Sequence, residues 1–577
     1  MLIKQTVARL RAKAEIFTLV IFIEHPMTTH LPAAFSPPFA IDDRFKKSVV
    51  YFSMEIAVDQ ALKTYSGGLG FLAGSHMKSA FELKQNLFGI SMLWKYGYYD
   101  QVRKTDNAMD VQFREKLYSF LQDTGLEITI TLFNQPVRVR AYYLDPKHFQ
   151  TVPLFFLTTD IDGNDGLARS VSYRLYDNDV RMKIAQCIVL GVGGAQLVDA
   201  LGAEPDVYHL NEAHALSGAF YLYQKLGSVE AVRQRLVFTT HTPEEAGNEK
   251  HDIHLLNELS FFGDLTLDKV REISGIQDNT FNHSLVTLRL SRQANGVSKL
   301  HGEVARQMWG RYEDICPITH VTNAQNQKYW TDPAIEAARL ANDPSSIATR
   351  KLELKRPLFR VVADQVGKLF DPSVLTLVWA RRFATYKRPD LLTHDQERFT
   401  QLLTQTKYPI QIIWAGKPYP MDHGAIDTFN QLYYLSHLYP NMAVLTGHEL
   451  GLSKLLKDGA DGWLNTPIVN REASGTSGMT AAMNGAVNMS TNDGWIREFT
   501  KPGENSFLVP TADPLLPDHA RDEHDRDQLF DLIENEILPL YYDHPADWQA
   551  LVLRSMNDVN AFFGANRMAA DYYEKIY

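Results

Sequence analysis

The residues best suited to chemistry fall in a few short stretches. Glu472-Ala-Ser-Gly-Thr-Ser-Gly-Met479, followed by Thr480-Ala-Ala-Met-Asn-Gly485, reads as a Gly/Ser/Thr loop opening a helix of small residues. Free backbone N–H groups and the positive end of a helix dipole make such a loop a ready anion site, although an isolated one can equally be an ordinary capped helix start. A second stretch, Arg381-Arg-Phe-Ala-Thr-Tyr-Lys-Arg388, puts four cations in eight residues directly after an apolar run. Arg382 can grip an oxyanion bidentately and Lys387 adds a point charge, which a solvated basic turn has no need of. In Tyr65-Ser-Gly-Gly-Leu-Gly70, Gly67 and Gly68 let backbone approach a ligand and offer N–H donors, a weak signal by itself. Glu55, Asn211, His214, His241, Glu472 and Asn484 supply the donors and acceptors that sugar hydroxyls require. Each alone is more often a structural residue; their grouping at the ends of apolar runs is what singles them out. The combination predicts a cleft that holds a sugar beside an anionic group, phosphate foremost.

The elements that must position these residues follow one pattern, a short buried strand ending in polar residues. The runs 48–52, 207–210, 236–240, 375–380, 410–415, 443–446 and 463–464 end at Ser53 to Glu55, Asn211 to His214, His241, Arg381 and Arg382, Lys417, His448 and Glu449, and Asn465 respectively. They are β-branched, aromatic and nearly continuous, as strands of a parallel sheet buried on both faces should be. Helical stretches intervene, for example 181–192 with Ile184, Ile188 and Val192 on one face. Alternating strands and helices give doubly wound sheets, whose ligands lie outside the carboxyl ends of the strands. Three polar clusters precede residue 330 and four follow residue 370, so the expected architecture is α/β: two doubly wound domains facing one cleft. The boundary is expected in the charged helical stretch 331–371. The acidic run 516–530 reads as a solvated loop, and residues 551–577 as one or two helices that pack back across the domains.

Bulk properties narrow the class. A chain of 577 residues is too long for one core. Its net charge of −10, with both signs interspersed, argues against nucleic-acid binding. Two cysteines, Cys187 and Cys316, cannot make a disulfide framework and suit a reducing cytoplasm. No Cys/His cluster has zinc spacing, so no metal is expected. Lys4, Arg9, Arg11 and Lys13 precede the apolar run 16–23, but no small-x-small cleavage site follows and the run is too short to span a bilayer. Residues 1–26 are therefore read as a tail, or Met27 as the true start, and no later window is expected to approach a transmembrane helix.

Taken together, Tyr51-Phe-Ser-Met-Glu55, Tyr65-Ser-Gly-Gly-Leu-Gly70, Tyr208-His-Leu-Asn-Glu212, Thr239-Thr-His-Thr-Pro243, Ala294-Asn-Gly-Val-Ser-Lys-Leu-His301, Ala380 to Arg388 and Glu472 to Met479 resemble the α-glucan (glycogen/maltodextrin) phosphorylases, in their short bacterial form, in order over residues 49–495. The resemblance implies a GT-B fold of two Rossmann-like domains, 27–350 and 351–577, with the last helices crossing back. It implies reversible, retaining transfer of glucosyl units between phosphate and the non-reducing end of an α-1,4-glucan. It also implies pyridoxal phosphate in the cleft, with the cofactor's phosphate relaying a proton to the substrate phosphate. Carried over by residue, Gly67 and Gly68 form the phosphate-facing loop and Arg382 and Lys387 bind substrate phosphate. Asn211, His241, Glu472, Ser474 and Gly475 hold the glucosyl unit, and Thr476, Ser477 and Gly478 surround the cofactor phosphate.

Three positions depart from the family. Its lysine that forms the Schiff base with pyridoxal is Thr480 here, and a hydroxyl makes no stable imine, so the cofactor is expected to be held without a covalent bond. Asn323-Ala-Gln-Asn-Gln327 and Asp177-Asn-Asp179 replace family patterns as well. Three readings follow: a glucan phosphorylase without its anchor, a GT-B transferase taking a nucleotide sugar in the same anion site, or a non-catalytic glucan-binding protein. The sequence leaves a homo-oligomer open.

Overall fold

The computed structural model describes residues 35–577, so the tail or alternative start expected at residues 1–26 lies outside the described residues. Two large sheets organise the chain. Runs such as Val49–Phe52 and Leu375–Ala380 lack any polar side that could face water, and both are buried throughout. The period-two pleat then divides their side chains between two cores. Val50 and Phe52 enter one core and Val49 and Tyr51 another; Leu375, Leu377 and Trp379 lie on one side of the second sheet and Val378 and Ala380 on the other.

The first sheet runs in the order Ile318–His320, Gln293–Gly296, Leu236–Thr239, Val207–Asn211, Val49–Phe52, Leu87–Met92, Leu154–Thr158, Gln135–Leu144, Gln122–Leu132. All neighbours are parallel except the last two pairs. The second runs Met442–Leu445, Ile410–Ala415, Leu375–Ala380, Gly462–Asn465, Val487–Ser490, Ser506–Leu508 and is parallel throughout. Each sheet starts near its middle, grows one way and then reverses, so each has a topological switch point. One lies between Val49–Phe52 and Val207–Asn211, the other between Leu375–Ala380 and Gly462–Asn465. In open α/β sheets these crevices are where ligands bind. The seven strands expected from sequence are all present, with bounds shifted by a residue or so.

Helices Pro333–Leu340 and Pro344–Val366 fill the stretch between the sheets. Pro545–Phe562 packs on the second sheet, whereas Ala565–Lys575 returns to the first, where Met568, Tyr572 and Ile576 meet Val49, Tyr51 and Val207. The polar run 516–530 is not a loop. Asp518–Leu532 is helical because Leu529 and Phe530 are buried on one side while Asp522 and Asp525 pair with Arg388 at 2.6 and 2.7 Å. The helix expected at 181–192 extends through a π-helical turn to Val180–Ala200. By length and composition that run could cross a membrane, contrary to the sequence expectation, yet 72% of its apolar 18-residue stretch is buried in the fold. A separate two-stranded sheet, Asp100–Arg103 with Met109–Gln112, follows Leu87–Met92 and reaches the second sheet's loops and edge through Gln101 Nε2 to Gly416 O at 2.9 Å and Arg103 Nη2 to Val444 O at 2.7 Å, beside Tyr99 Oη to Pro418 O at 2.8 Å.

Candidate functional site

Both switch points open into one cavity of about 580 Å³, the larger of the two best-formed among the described residues. Its wall has three more cationic than acidic side chains, whereas the whole chain carries −10. That local reversal is what an anionic ligand requires.

The second sheet supplies the cationic wall. Leu375–Ala380 ends at Arg381 and Arg382, and the loop after Gly462–Asn465 brings Glu472 opposite. Arg381 Nη2 lies 2.8 Å from Glu472 Oε2, and Lys387 Nζ pairs with Oε1. Burial would raise the Glu472 carboxyl, but Arg381 and Lys387 override it and hold the group down to about 2. Burial, then Arg381, pulls Lys387 down to about 7 despite Glu472. Arg381 Nη1 and Ser474 Oγ are buried without a hydrogen-bond partner, so this wall still offers donors. Arg382 makes no ion pair among the described residues and faces the cavity. Arg388, the fourth cation of its stretch, points away, donating to Thr466 O, Pro467 O and the two aspartates.

The 472–479 loop is set by its own backbone. Asp493 accepts from Arg471 N and Glu472 N, Trp495 N donates to Ser474 O, and Gly475 adopts φ +75°. A side chain at 475 would be strained and would bring a Cβ within 3.0 Å of Glu472 Oε2, so glycine is needed there. The helix that follows, Ser477–Met483, has only seven residues, so the expected helix-dipole anion site is weak and the cations carry that role. Ser474, Gly475, Thr476 and Ser477 line the cavity. Three residues expected beside them are not on its wall. Gly478 packs on Asn488 and Trp495. Thr480 is 1% exposed and donates to Ser477 O at 3.0 Å. Asn484 is consumed internally, donating to Trp330 O and Thr480 O and accepting from Asp332 N.

The first sheet supplies the facing wall. Glu55, expected to meet sugar hydroxyls, accepts from Ser66 N, Gly67 N and Tyr176 Oη at 2.6, 3.2 and 3.0 Å, so it organises the glycine loop. A Cβ at Gly67 or Gly68 would meet nothing within 4 Å, which is open space on the cavity side. The Gly67 N–H is already taken by Glu55; Gly68 begins helix Gly68–Glu82, whose N-cap offers no side chain. His241 lines the cavity, with Nε2 2.7 Å from Asn211 Oδ1. Asn211 in turn donates to Ser53 Oγ and stays off the wall, so it positions His241 rather than a ligand. Burial and the neighbouring His301 and His214 drive His241 down to about 3, leaving a neutral imidazole. His214 also lines the cavity, with Nδ1 unpartnered.

Sequence reasoning placed Glu212 and His448 at strand ends without giving them a role, and it missed Lys457. Glu212 sits at φ 66°, ψ 168°, a region almost reserved for glycine and a mark of functional strain. Burial raises its carboxyl to about 7, and it accepts from His241 N and Thr242 Oγ1. His448 and Lys457 face the cavity from the far end of the second sheet. Two family departures have structural explanations. Gln325, Asn326 and Gln327 bond Ser75, Ser79 and Asn560, tying helix Gly68–Glu82 to the end of Pro545–Phe562, while Asp179 caps Val180–Ile188 and Asn178 accepts from the cavity residue Tyr419.

The arrangement can bind an oxyanion on Arg381, Arg382 and Lys387 and a polyhydroxylated ring between Glu472, Ser474 and His241. No group of three or more metal-ligating side chains is found among the described residues. No protein-family model matches the chain. It is 44% identical to an uncharacterized protein of Methanocaldococcus jannaschii, over 92% of this chain and 100% of that one. It is 31% identical to maltodextrin phosphorylase of Thermococcus litoralis over 92% of this chain and 71% of the relative. Glycogen phosphorylase of Mycobacterium tuberculosis is likewise 31% identical, over 92% and 70% of the two chains.

Proposed function

The chain belongs to the family of glycogen and maltodextrin phosphorylases, and from that premise we propose that it transfers glucosyl units, with retention, between inorganic phosphate and the non-reducing end of an α-1,4-glucan. The observation that carries this reading is the triad Arg381–Glu472–Lys387 beside the unpaired Arg382, facing His241 across one cavity. In the phosphorolytic direction Arg382 and Lys387 hold the phosphate against the glycosidic oxygen. Ser474 Oγ and His241 orient the ring. The fixed cations offset phosphate charge as positive charge develops on the anomeric carbon, which is electrostatic catalysis without reorganisation.

The reading includes pyridoxal phosphate, which when bound supplies a phosphate group able to exchange a proton with the substrate phosphate. The residues present fit it. The wall has more cations than one substrate phosphate needs, and the orphaned Arg381 Nη1, Ser474 Oγ and His448 Nε2 are ready to bond oxygens. Thr476 and Ser477 would hold its phosphate, and Thr480 contributes no covalent bond. The GT-B arrangement, with domains 27–350 and 351–577, belongs to the same reading and is supported by the two switched sheets and by Ala565–Lys575 returning to the first. A cytoplasmic setting is supported by the two buried free cysteines.

One observation favours a second reading. Thr480 lies off the cavity wall and lacks the family's amine, and the cations would serve the distal phosphate of a nucleotide sugar equally well. Purified chain should be given a maltooligosaccharide and phosphate, with and without pyridoxal phosphate, and assayed for glucose 1-phosphate. Release with the cofactor supports phosphorolysis. Transfer only from a nucleotide sugar supports the second reading, and inactivity with both donors leaves a glucan-binding protein.

A further inference from the structure

Four lysines line the cavity: Lys183, Lys387, Lys417 and Lys457. Lys387 pairs with Glu472, and Lys417 pairs with Glu449 and donates to Tyr99 O. Lys183 stands at the histidine end, beside Cys187 and Glu249. Lys457 is different. It is 2% exposed, yet it enters no hydrogen bond or ion pair among the described residues. Its Nζ sits 3.6 Å above the Trp330 ring and 5.5 Å from that of Phe71, with cavity residues Ser453 and His448 on the adjoining wall.

A lysine amine in an apolar slot, without a carboxylate, has no structural bond to keep. Burial, reinforced by Lys454, holds Lys457 well below the usual lysine range, which favours the free-amine form that a nucleophile needs. Its position matters as much as its state. Trp330 O accepts from Asn484 Nδ2 at 2.9 Å, and the same amide reaches Thr480 O at 2.9 Å. Lys457 therefore enters the pocket from helix Leu450–Gly459, beside the short helix that carries Thr480, and ends among the residues that line it with Thr476 and Ser477.

We propose that Lys457 is the amine that receives the aldehyde of pyridoxal phosphate in this chain, taking over from a neighbouring helix the bond that Thr480 cannot make. The inference rests on the phosphorylase reading and deepens it. Chemically it needs no further reactant: the Nζ lone pair adds to the aldehyde carbon, a C=N bond replaces C=O, and the carbonyl oxygen leaves as water. It departs from the expectation of a purely non-covalent cofactor, because that expectation considered only the motif's own lysine position.

The test uses the full chain, pyridoxal phosphate at low molar excess, borohydride reduction and peptide mass mapping, with dialysis to measure retained cofactor. The expected result is a pyridoxyl group on the peptide containing Lys457, and loss of both the adduct and the visible imine band in Lys457→Arg. Mapping on the unaltered chain keeps the test independent of how the variant folds. Cofactor retained with no adduct, or with the adduct on Lys183, Lys387 or Lys417, overturns the assignment and leaves the phosphorylase reading standing. If the unaltered chain retains no cofactor at all, both fall.

Discussion

Glu472 holds Arg381 at 2.8 Å through one carboxylate oxygen and Lys387 through the other, so one buried anion serves two cations at the switch point of the second sheet. Both groups are pulled down, with opposite effects on charge: the carboxyl, held near 2, is favoured as an anion, whereas Lys387, at about 7, is disfavoured as a cation. Arg381 explains both. It cannot lose its proton, so it fixes the carboxylate as an anion, and its charge together with burial then makes a second cation on the same carboxylate costly.

An anion entering the cavity must therefore recharge Lys387. Phosphate near the amine raises its proton affinity, so binding at about pH 7.5 should take up protons. Calorimetric phosphate-binding enthalpies should differ between buffers of different ionisation heat, and the difference should vanish in Lys387→Met. The linkage also has a sign in the free protein. Lys387 binds its proton less tightly folded than unfolded, so stability should rise as pH climbs from about 7 towards 10.5. A buffer-independent enthalpy would remove Lys387 from the anion site.

Arg382 is the cation left without a carboxylate, so its removal should disturb function more than fold. Arg382→Ala should leave circular dichroism unchanged and cut turnover by at least about a hundredfold, the scale of losing one preorganised donor to a developing charge. Arg381→Ala should differ, because it leaves the buried Glu472 with Lys387 alone as partner and should cost stability as well, by no more than the about 3–5 kcal/mol of breaking a buried pair outright. Wild-type turnover in Arg382→Ala would show the cluster to be structural.

Glu212 combines strain with a titration in the physiological range. Its carboxyl is raised from an ordinary 4.5 to about 7, so its stabilising contribution is complete below 4.5 and is lost as pH rises through 7. Glu212→Gln keeps the acceptor to His241 N without the charge, and should therefore gain melting temperature relative to wild type between pH 5 and pH 8. Glu212→Gly should recover about 1–3 kcal/mol of backbone strain, partly offsetting the lost hydrogen bonds. Parallel melting curves for wild type and Glu212→Gln across that range would exclude the titration.

Much of the framework was legible because its strands are dry on both sides. Leu375–Ala380 and Ile410–Ala415 have no alternative reading, and their carboxyl ends led directly to Arg382, Lys387 and Glu472. Gln293–Gly296 and Ile318–His320 were not readable, since each has a single apolar residue and shows no buried run. The helix Asp518–Leu532 was missed because its acidic face is stabilised by Arg388, remote in sequence. The same distinction divides the site. Residues inside motifs could be named, but whether each reaches the cavity depends on partners elsewhere: Asn484 turns to Trp330 and Asp332, Asn211 stands behind His241, and Lys457 reaches the wall from a helix with no motif.

Position 480 offers the sharpest separation of the two catalytic readings. Thr480 is buried, and a lysine there must thread its chain past Ser477 to reach the cavity, so Thr480→Lys should cost about 1–3 kcal/mol in overpacking. If the pocket is shaped for pyridoxal phosphate, the cost is repaid in chemistry. Lys457→Ala should lose the imine band, Lys457→Ala/Thr480→Lys should regain it with the reduced adduct mapped to position 480, and glucan phosphorolysis should rise with it. A pocket shaped for a nucleotide would behave otherwise, because the new amine would meet no aldehyde and would crowd the base or ribose. No band would then appear in the double variant, and transfer from a nucleotide sugar would fall. The geometry around Arg381, Glu472 and Gly475 leads us to expect the first outcome, since it suits an oxyanion and a ring close to the position of Thr480.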